Sequence, residues 1–587
     1  MKKTTSKIYN LLPFEERHRA VVLLVLMLIG MLLETLGIGL IIPTITIMMQ
    51  GDIVTTYPEL APVLSFLGNP SKTMLITIVM LGLVVVYLVK NLFLCFLIWM
   101  QTSFVFNVRV NLSHRLFTIY LRQPYTFHLQ RNSAELVRNV TSEVSAFTIA
   151  ISSAQILVTE LLVLVGITML LVLVEPLGAF IVAIILGGAA WGFHRITRKK
   201  VSTWGVERQL HEGLRIQHIQ QGLGGAKDVK LLGRESDFLA QFNIHNKQSA
   251  RVTKNNTVLQ NYPRLMFELL AVIGLAILVI SMLKQGSDMT NIVPTLGLFA
   301  AAAFRLMPSV SRVLSSIQTL RYNLPVVNTL YDEIKLTPQE SANEKPSTPK
   351  IFKNKISLTN LKYQYSGAAS PALDSISMNI NKGESIGFIG SSGSGKSTLV
   401  DVILGLITPS SGHVEVDGDD IQLNLRQWQD QIGYVPQTIY LTDDTLRRNI
   451  AFGLPDVQID DDAVKNAIQG AQLDEFISSL PDGMETIVGE RGVRLSGGQR
   501  QRIGIARALY HDPDVLVLDE ATSALDTATE VGVMQAITAL HGIKTIIIVA
   551  HRLSTVEHCD HLYRLEHGRV VEEGTPTDMI NNKNNIS

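Results

Sequence analysis

Six long apolar segments occupy the first 330 residues of this 587-residue chain, and they constrain its fold more than any other feature. A helix needs roughly 20 apolar residues to cross a bilayer. The segments lie near residues 20–50, 74–106, 145–174, 177–194, 257–284 and 291–323. Hydrophobic residues make up 47% of the chain and charged residues 17%, a balance that favours a membrane protein with a soluble part. We therefore predict an α-helical six-span transmembrane domain over residues 1–336.

Charge in the connecting segments predicts the orientation. Residues 109–143 carry five arginines and two glutamates, and residues 195–200 read RITRKK. The positive-inside rule places such segments, and hence both termini, in the cytoplasm. The start, MKKTTSKIYNLLPFEERHR, predicts an amphipathic helix on that face rather than a signal peptide. The loop at 55–72 is then external, and its VLSFL core could form a short surface helix.

The pattern of apolar and polar residues changes after a polar linker at residues 337–352. Residues 353–587 alternate short apolar strands with helical patterns, as in ESIGFIG, VLVLDE and TIIIVAH. This alternation predicts a parallel α/β domain. The formal net charge of the chain is zero, so no electrostatic feature points to nucleic acid as a partner.

The second domain contains a sequence typical of a phosphate-binding loop. The sequence GSSGSGKST fits the pattern G-x-x-x-x-G-K-[ST] between a strand and a helix. Its glycines let backbone N–H groups surround phosphate oxygens, Lys396 supplies charge to the β and γ phosphates, and Ser397 supplies a hydroxyl to Mg²⁺. The predicted ATP-binding residues of the loop are Gly390, Ser391, Ser392, Gly393, Ser394, Gly395, Lys396, Ser397 and Thr398.

Two acids end the strand VLVLDE at 515–520. Phosphoryl transfer needs mainly positioning and charge neutralisation. Asp519 is therefore predicted to hold Mg²⁺ through water, and Glu520 to polarise the attacking water. The alternative for both acids is ordinary solvation at a strand end.

The sequence LSGGQRQR at 495–502 resembles the signature of the ABC ATPases. The resemblance extends to Glu490 and to SALD at 523–526. It implies an adenine-stacking role for Tyr365, Mg²⁺ and water sensing by Gln437, and a γ-phosphate contact by His551. It also implies that four signature residues meet ATP bound to the opposite subunit, namely Ser496, Gly497, Gly498 and Gln499.

That arrangement implies two chains, because each ATP lies between one phosphate loop and the other subunit's signature. The expected assembly is a homodimer, with a heterodimer as the alternative. The domain order resembles type IV exporters, which implies a multi-pass protein of the bacterial inner (plasma) membrane. Coupling helices are expected near 122–134 and 219–230.

Charged residues within the predicted spans fall at similar depths. At 1.5 Å per residue, five of them lie roughly 21–24 Å from the outer ends of their spans, and Arg264 lies one turn below Glu268. The five are Glu34, Lys90, Glu160, Glu268 and Arg305. Either acids and bases pair internally, or Lys90, Arg264 and Arg305 form a cationic cavity for an anionic lipid headgroup.

The stretches NYPRLMFE and AAAFRLMPS resemble the corresponding helices of PglK-type flippases for lipid-linked oligosaccharides. The resemblance implies a polyprenyl-pyrophosphate-linked oligosaccharide as the substrate. Lys90 departs from it, because an arginine is expected there and a lysine lacks the planar fork. A lipid A or phospholipid flippase, a multidrug exporter and, more distantly, a nucleotide-gated channel remain alternatives.

Overall fold

The computed structural model describes residues 2–40, 44, 72–174, 176–284, 289–336, 352–521, 527–550, 552 and 555–579. Side chains of some helical residues, including 289–305, are outside the description. The chain forms two compact units. The first comprises residues 1–123 and 130–338, and the second comprises 124–129 and 339–587.

The first unit is helical, and its long helices follow the predicted spans. Its helices, together with the short α4 that lies mostly in the second unit, are α1 (Lys2–Leu11), α2 (Phe14–Gly39), α3 (Lys72–Leu121), α4 (Tyr125–Gln130), α5 (Ser133–Arg138), α6 (Val144–Val174), α7 (Pro176–Gly224), α8 (Ala226–Leu231), α9 (Glu235–Lys284) and α10 (Met289–Ile334). Within the described residues, three stretches are long and apolar enough to cross a membrane: Phe14–Gly39, Thr73–Leu121 and Ser133–Leu173.

Several helices are much longer than a bilayer requires. Helix α3 has 50 residues, or about 75 Å, against a hydrocarbon core of about 30 Å. Helix α7 continues through the polar sequence HRITRKKVSTWGVERQLHEG, so it extends well beyond residue 194, where the fourth predicted span ends. The external segment with the predicted VLSFL helix lies outside the described residues.

A π-helical turn at Asn139–Glu143 joins α5 to α6. Such a turn inserts one extra residue into a helix and redirects the side chains beside it. Glu143 is fully buried here, while Thr141 and Ser142 line a cavity. No sequence pattern predicted this π turn.

The described residues of the second unit form two sheets. Its strands are β1 (Lys355–Tyr363), β2 (Leu373–Asn381), β3 (Ser385–Ile389), β4 (Ser411–Val416), β5 (Asp419–Asp420), β6 (Ile432–Val435), β7 (Val515–Asp519), β8 (Thr545–Val549), β9 (His561–Glu566) and β10 (Arg569–Gly574). The six-stranded sheet has the order β10-β9-β3-β8-β7-β6, and all its pairs are parallel except β9 with β10. The antiparallel sheet β2-β1-β4-β5 was not predicted.

In the part of this unit that the structure describes, seven α-helices accompany these strands. They are α11 (Lys396–Ile403), α12 (Leu425–Gln429), α13 (Leu446–Ile450), α14 (Asp461–Gly470), α15 (Asp474–Ser478), α16 (Gly497–Leu509) and α17 (Thr527–Thr538). The central strands β3, β7 and β8 are buried almost throughout, as expected of parallel strands covered on both faces. Their carboxyl ends lie at one sheet edge, where ligand sites of α/β proteins form. The loop after β3 carries the predicted phosphate loop, and the two predicted acids lie at the end of β7 (Asp519) and directly after it (Glu520).

Candidate functional site

The phosphate loop runs from the end of β3 to the start of α11. Gly390 and Gly395 have φ values of 148° and 104°, in the region that favours glycine. A Cβ at Gly395 would lie 2.5 Å from the carbonyl oxygen of Ala372, and one at Gly390 would lie 2.3 Å from that of Leu565. Glycine is therefore required at both positions, because backbone leaves no space for a side chain.

Lys396 begins α11 and folds back over the loop. Its Nζ donates to the carbonyl oxygens of Gly390 and Ser391, each at 2.9 Å. Burial lowers the pKa of Lys396, and the carboxylates of Glu520 and Asp519 oppose this shift. The ammonium is thus held at the centre of the loop, beside the first turn of a helix whose N–H groups attract anions.

Glu520 and Gln437 are brought together from loops that lie 83 residues apart. The Nε2 atom of Gln437 donates to Oε2 of Glu520 at 2.6 Å. Glu520 has a φ of 49°, an uncommon conformation for a non-glycine residue and one associated with functional sites. With this left-handed backbone, the Glu520 side chain points in a different direction from the one it would have if β7 continued through residue 520.

Side chains with oxygen donors that suit Mg²⁺ lie on the elements next to this pair. Mg²⁺ is bound through oxygen ligands and commonly keeps several waters. Asp519 ends β7 and Ser397 lies in the first turn of α11. Because Gln437 donates its amide N–H to Glu520, its amide oxygen is available for a cation. The residues present therefore fit an ATP-bound Mg²⁺ ion.

Tyr365 lies beside the phosphate loop. Its hydroxyl is 3.2 Å from Oγ1 of Thr398, and its ring packs edge-on against Tyr363 with centroids 4.9 Å apart. The partly buried ring is thus fixed between β1 and α11. This placement is compatible with the predicted stacking on adenine.

The signature residues form the start of α16. Ser496 is the N-cap, and its Oγ accepts from the backbone N–H of Gln499 at 3.2 Å. The Gln499 side chain accepts from the Ser496 backbone N–H at 2.8 Å, which completes a capping box. Gly497 and Gly498 form the first turn of this 13-residue helix. The exposed Ser496 therefore lies at the end of the helix where the backbone N–H groups point outward.

Two further residues of α16 connect the signature to the segment that follows Gln437. Gln501 donates to the Gln437 carbonyl oxygen at 3.3 Å. Arg507 donates to the carbonyl oxygens of Asn449 and Tyr440, each at 2.9 Å. Burial lowers the pKa of Arg507 to about 10. Sequence reasoning missed both residues, and their only signal was a position inside the helical pattern after the signature.

The two remaining predicted positions of the ATP site, His551 and the SALD sequence at 523–526, lie outside the described residues. The rest of the predicted ATP-binding residues converge in two groups. The phosphate loop, Gln437, Asp519 and Glu520 share one sheet edge, whereas Ser496 caps a separate helix of the same unit.

Comparison with known proteins identifies the family. Residues 373–523 match the ABC transporter family, and residues 20–301 match the ABC transporter transmembrane region. The ATP-dependent lipid A-core flippase of Ralstonia nicotianae is 31% identical over 478 residues, which cover 81% of this chain and 80% of the relative. The flippase of the same description from Nitrosococcus oceani is 31% identical over 523 residues, covering 87% and 85%. The chain belongs to the ABC transporter family.

A solved bacterial Atm1-family ABC exporter with ATP bound has the same fold. Its TM-score is 0.77, with 23% identity over 97% of this chain and 96% of that one. This ABC transporter is therefore a type IV half-transporter, with one transmembrane domain and one ATPase domain. It is a multi-pass membrane protein that couples ATP hydrolysis to transport. Its relatives are lipid A-core flippases, which supports the lipid A alternative better than the expected oligosaccharide substrate.

Among the described residues, the transmembrane charges of this ABC transporter do not all form the ion pairs that the internal-pairing hypothesis expects. Glu160 is buried, and its carboxylate accepts from Nε of Arg312 at 2.6 Å, a partner that sequence reasoning missed. Lys90 instead places its ammonium over the ring of Tyr87, 4.3 Å from the centroid. Glu34 is also buried.

Arg264 and Glu268 are both exposed in the single chain. Although they are one turn apart on α9, they are not within ion-pair distance of each other or of any other described side chain. Arg305 lies in α10, but its side chain is outside the description. The structure therefore leaves two of the three predicted substrate cations, Lys90 and Arg264, without a described carboxylate partner.

Proposed function

We propose that this ABC transporter uses ATP to move a lipid with a phosphorylated, anionic headgroup across the inner membrane. A glycolipid of the lipid A type is the first candidate, because curated relatives at about 30% identity and more than two-thirds coverage carry that activity in their names. ATP binding at the phosphate loop and attack of water activated by Glu520 supply the driving reaction. Mg²⁺, when bound, would neutralise phosphate charge between Ser397 and Asp519.

Two cations of the transmembrane domain that have no described carboxylate partner support this proposal. Lys90 and Arg264 lie on apolar helices and have no carboxylate within 4.0 Å among the described residues. A cation in such a segment is costly unless it is paired, hydrated or functional. Glu160 is already engaged by Arg312. An anionic headgroup is therefore the partner that best complements the remaining positive charge.

The working assembly that we propose is a homodimer with both termini in the cytoplasm. In it, Ser496 and its neighbours on α16 contact the ATP held by the partner's phosphate loop, and His551 contacts the γ-phosphate. The basis is the family resemblance and the exposed, capped N-terminus of α16. Two chains would then provide two identical ATP sites.

A polyprenyl-pyrophosphate-linked oligosaccharide is the second candidate substrate. It shares the phosphorylated headgroup and the lipid tail with lipid A. The observation that favours it is the likeness of NYPRLMFE and AAAFRLMPS to PglK-type helices. Arg264 suits a pyrophosphate because a guanidinium binds phosphate oxygens through two parallel hydrogen bonds.

Translocation in proteoliposomes tests the proposal. The purified full-length protein is reconstituted with lipid A, with a polyprenyl-pyrophosphate oligosaccharide, or with a cationic dye, and transfer is measured with and without ATP. We expect ATP-dependent transfer of at least one phosphorylated lipid and none of the dye. Transfer of the dye alone would instead make the chain a drug exporter.

Matched variants test the two cations. Arg264→Ala and Lys90→Ala should each lower transfer of the phosphorylated lipid several-fold while basal ATP hydrolysis stays near the wild-type rate. Lys254→Ala is the control, because Lys254 is an exposed cation ten residues earlier on the same helix. Equal loss in all three variants would show that the two positions have no special role in transfer, and loss of folding in the first two would show that their role is structural.

A further inference from the structure

An apolar cleft of about 240 Å³ lies in the first unit, where the N-terminal helix α1 meets α2, α3, α6 and α10. Of the described residues that line it, only Gln155 is polar. Buried side chains, including Leu23 and Phe147, close its floor. At its rim, Leu24 is 49% exposed and Leu324 is 40% exposed. The cleft is therefore apolar from its floor to its rim.

Water is a poor occupant of this cleft. A buried water needs roughly two to four polar partners, and the described lining offers one amide side chain, that of Gln155. An unfilled cleft is also unfavourable, because its lining atoms lose dispersion contacts on one side. The occupant that best complements the lining is therefore an apolar chain.

The rim of the cleft borders a surface that suits lipid tails. Helix α2 is one of the described stretches that are long and apolar enough to cross a membrane. Within one turn of Leu24, the side chains of Val21, Val25 and Leu28 are exposed, and exposed apolar side chains on such a helix contact lipid. Helix α1 is the segment predicted to lie in the membrane interface. The apolar chains at the rim are then those of membrane lipids.

Arg17 supplies positive charge one turn from the cleft. It precedes the lining residues Ala20 and Leu24 on α2 by three and seven residues, so the three side chains lie on the same face of the helix. Its guanidinium lies 4.1 Å from the ring centroid of Tyr9, and it has no ion-pair partner among the described residues. Only its Nε atom is enclosed without a partner, so the two Nη atoms remain accessible to an anion.

Helix α1 is attached to the bundle on both sides of the cleft. Its Lys7 donates to Oδ1 of Asn328 on α10 at 2.8 Å, and Leu11 is 1% exposed. Between these attachments, Ile8 and the following Leu12 line the cleft. A chain bound in the cleft would therefore fill the space beside α1 without displacing the contacts that hold this helix.

We infer that this cleft binds one acyl chain of an anionic phospholipid, with the lipid phosphate at the Nη atoms of Arg17. The lipid is a resident component of the protein and is not transported. It belongs to the leaflet that α1 faces, which is the cytoplasmic leaflet in the proposed orientation, and the inference takes nothing else from the proposed function. The bound chain completes the packing of α1 against the bundle.

Photolabelling in nanodiscs tests the inference with the full-length protein. The nanodiscs consist of phosphatidylcholine with a small fraction of a probe, either phosphatidylglycerol or phosphatidylcholine, that carries a diazirine in one acyl chain. Labelled peptides are identified by mass spectrometry. We expect the phosphatidylglycerol probe to label the parts of α2 and α6 that line the cleft, within residues 20–27 and 147–158. Absence of label from both parts would overturn the inference, and the cleft would then be covered by a partner subunit or by nothing.

A cavity-filling variant tests whether the chain enters the cleft. Ala154→Phe places a ring in the cleft from α6, and it should abolish most of the labelling because the ring takes the space of the acyl chain. Ala183→Phe is the control, at an exposed position on α7 that does not line the cleft, and it should leave the labelling unchanged. Equal labelling of wild type and Ala154→Phe would overturn the inference.

Replacing Arg17 tests the headgroup contact and needs no change in the core, so it decides the matter if Ala154→Phe fails to fold. Wild type should take up about fivefold more label from the phosphatidylglycerol probe than from the phosphatidylcholine probe, the size of one arginine contact at a membrane surface. This ratio should fall to about one in Arg17→Ala and persist in Lys199→Ala, which removes an exposed cation of α7. A ratio unaffected by Arg17→Ala would refute the phosphate contact.

Competition separates a resident lipid from a transported one. Labelling of the cleft should be the same during ATP hydrolysis and with a non-hydrolysable ATP analogue, and excess unlabelled phosphatidylglycerol should reduce it whereas excess lipid A should not. Labelling that falls during ATP hydrolysis, or that lipid A displaces, would assign the cleft to the transport path and overturn the inference. Failure of lipid transport in proteoliposomes would refute the proposed function and leave these results unchanged.

Discussion

Replacing Glu520 by glutamine separates the chemistry of ATP hydrolysis from the geometry of the site. Glutamine can keep an oxygen facing Gln437, so the contact that is 2.6 Å long in the wild type can persist. The substitution removes the negative charge and the basicity that would polarise water. A positioned general base contributes about 10²–10⁴-fold to a rate, which corresponds to about 2.7–5.4 kcal/mol of activation free energy at 1.36 kcal/mol per decade.

ATP binding should survive this change, because the carboxylate of Glu520 would repel the γ-phosphate of ATP bound at the predicted site, and the substitution would remove that repulsion. Phosphate release and equilibrium binding of a fluorescent ATP analogue are measured on the same preparation. We expect hydrolysis to fall at least 100-fold while the dissociation constant stays equal or decreases. Glu557→Gln, at an exposed position in the same unit, is the control. Hydrolysis within threefold of wild type would refute the assignment of Glu520 as the water-activating residue.

Three further outcomes follow from individual contacts. Gly395→Ala should abolish nucleotide binding in the same fluorescence assay, because the new Cβ would lie 2.5 Å from the Ala372 oxygen; wild-type affinity would contradict this. Arg312→Ala should lower the thermal unfolding midpoint in detergent, because it leaves the buried Glu160 without this ion pair. The expected loss is about 1–3 kcal/mol of the free energy of unfolding, since the arginine is half-exposed. An unchanged midpoint would show that the pair contributes nothing to stability.

The third prediction concerns Asp401. Burial and the nearby Asp519 raise the pKa of its carboxyl group from 3.8 to about 6. A raised carboxyl pKa means that the folded protein binds its proton more tightly, so stability falls as pH rises from about 4 to 6. Above pH 6 the penalty is complete, with an upper bound of about 3 kcal/mol and an expected value of about 1–2 because the side chain is partly exposed. Asp401→Asn should therefore raise the unfolding midpoint more at pH 7.5 than at pH 4.5, and an equal gain at both would contradict the assignment.

Periodicity and motif spacing predicted the helical bundle and the parallel sheet because those signals are local. The strand VLVLDE and the phosphate loop each carry their own pattern, and parallel strands necessarily place Asp519 and Gly390 at one edge. Pairings between distant helices were not predictable in the same way. The contact of Arg312 with Glu160 depends on the rotation of two helices about their axes, which an apolar sequence does not fix.

A polar cavity among helices α3, α6, α7, α9 and α10 of the first unit was not predicted, for a related reason. Its lining residues are single polar positions on five helices, and each one alone resembles an ordinary solvated or helix-packing residue. Arg109 and Arg208 are almost 100 residues apart, and only packing brings them to one cavity. The π turn also has no sequence signature, because its effect is an extra residue in an otherwise regular helical pattern.

The cap at Ser496 has a consequence for the timing of the ATPase cycle. A serine hydroxyl has two acceptor lone pairs and one hydrogen, and the cap uses a lone pair to accept from Gln499. The hydrogen remains available to donate, and the rotamer that aims it is set when the helix folds. In the proposed homodimer, the entropy of ordering this side chain would be lost once, at folding, instead of at every encounter of the two subunits. The rate of closure over ATP would then depend on the nucleotide, because the contact residue is already oriented.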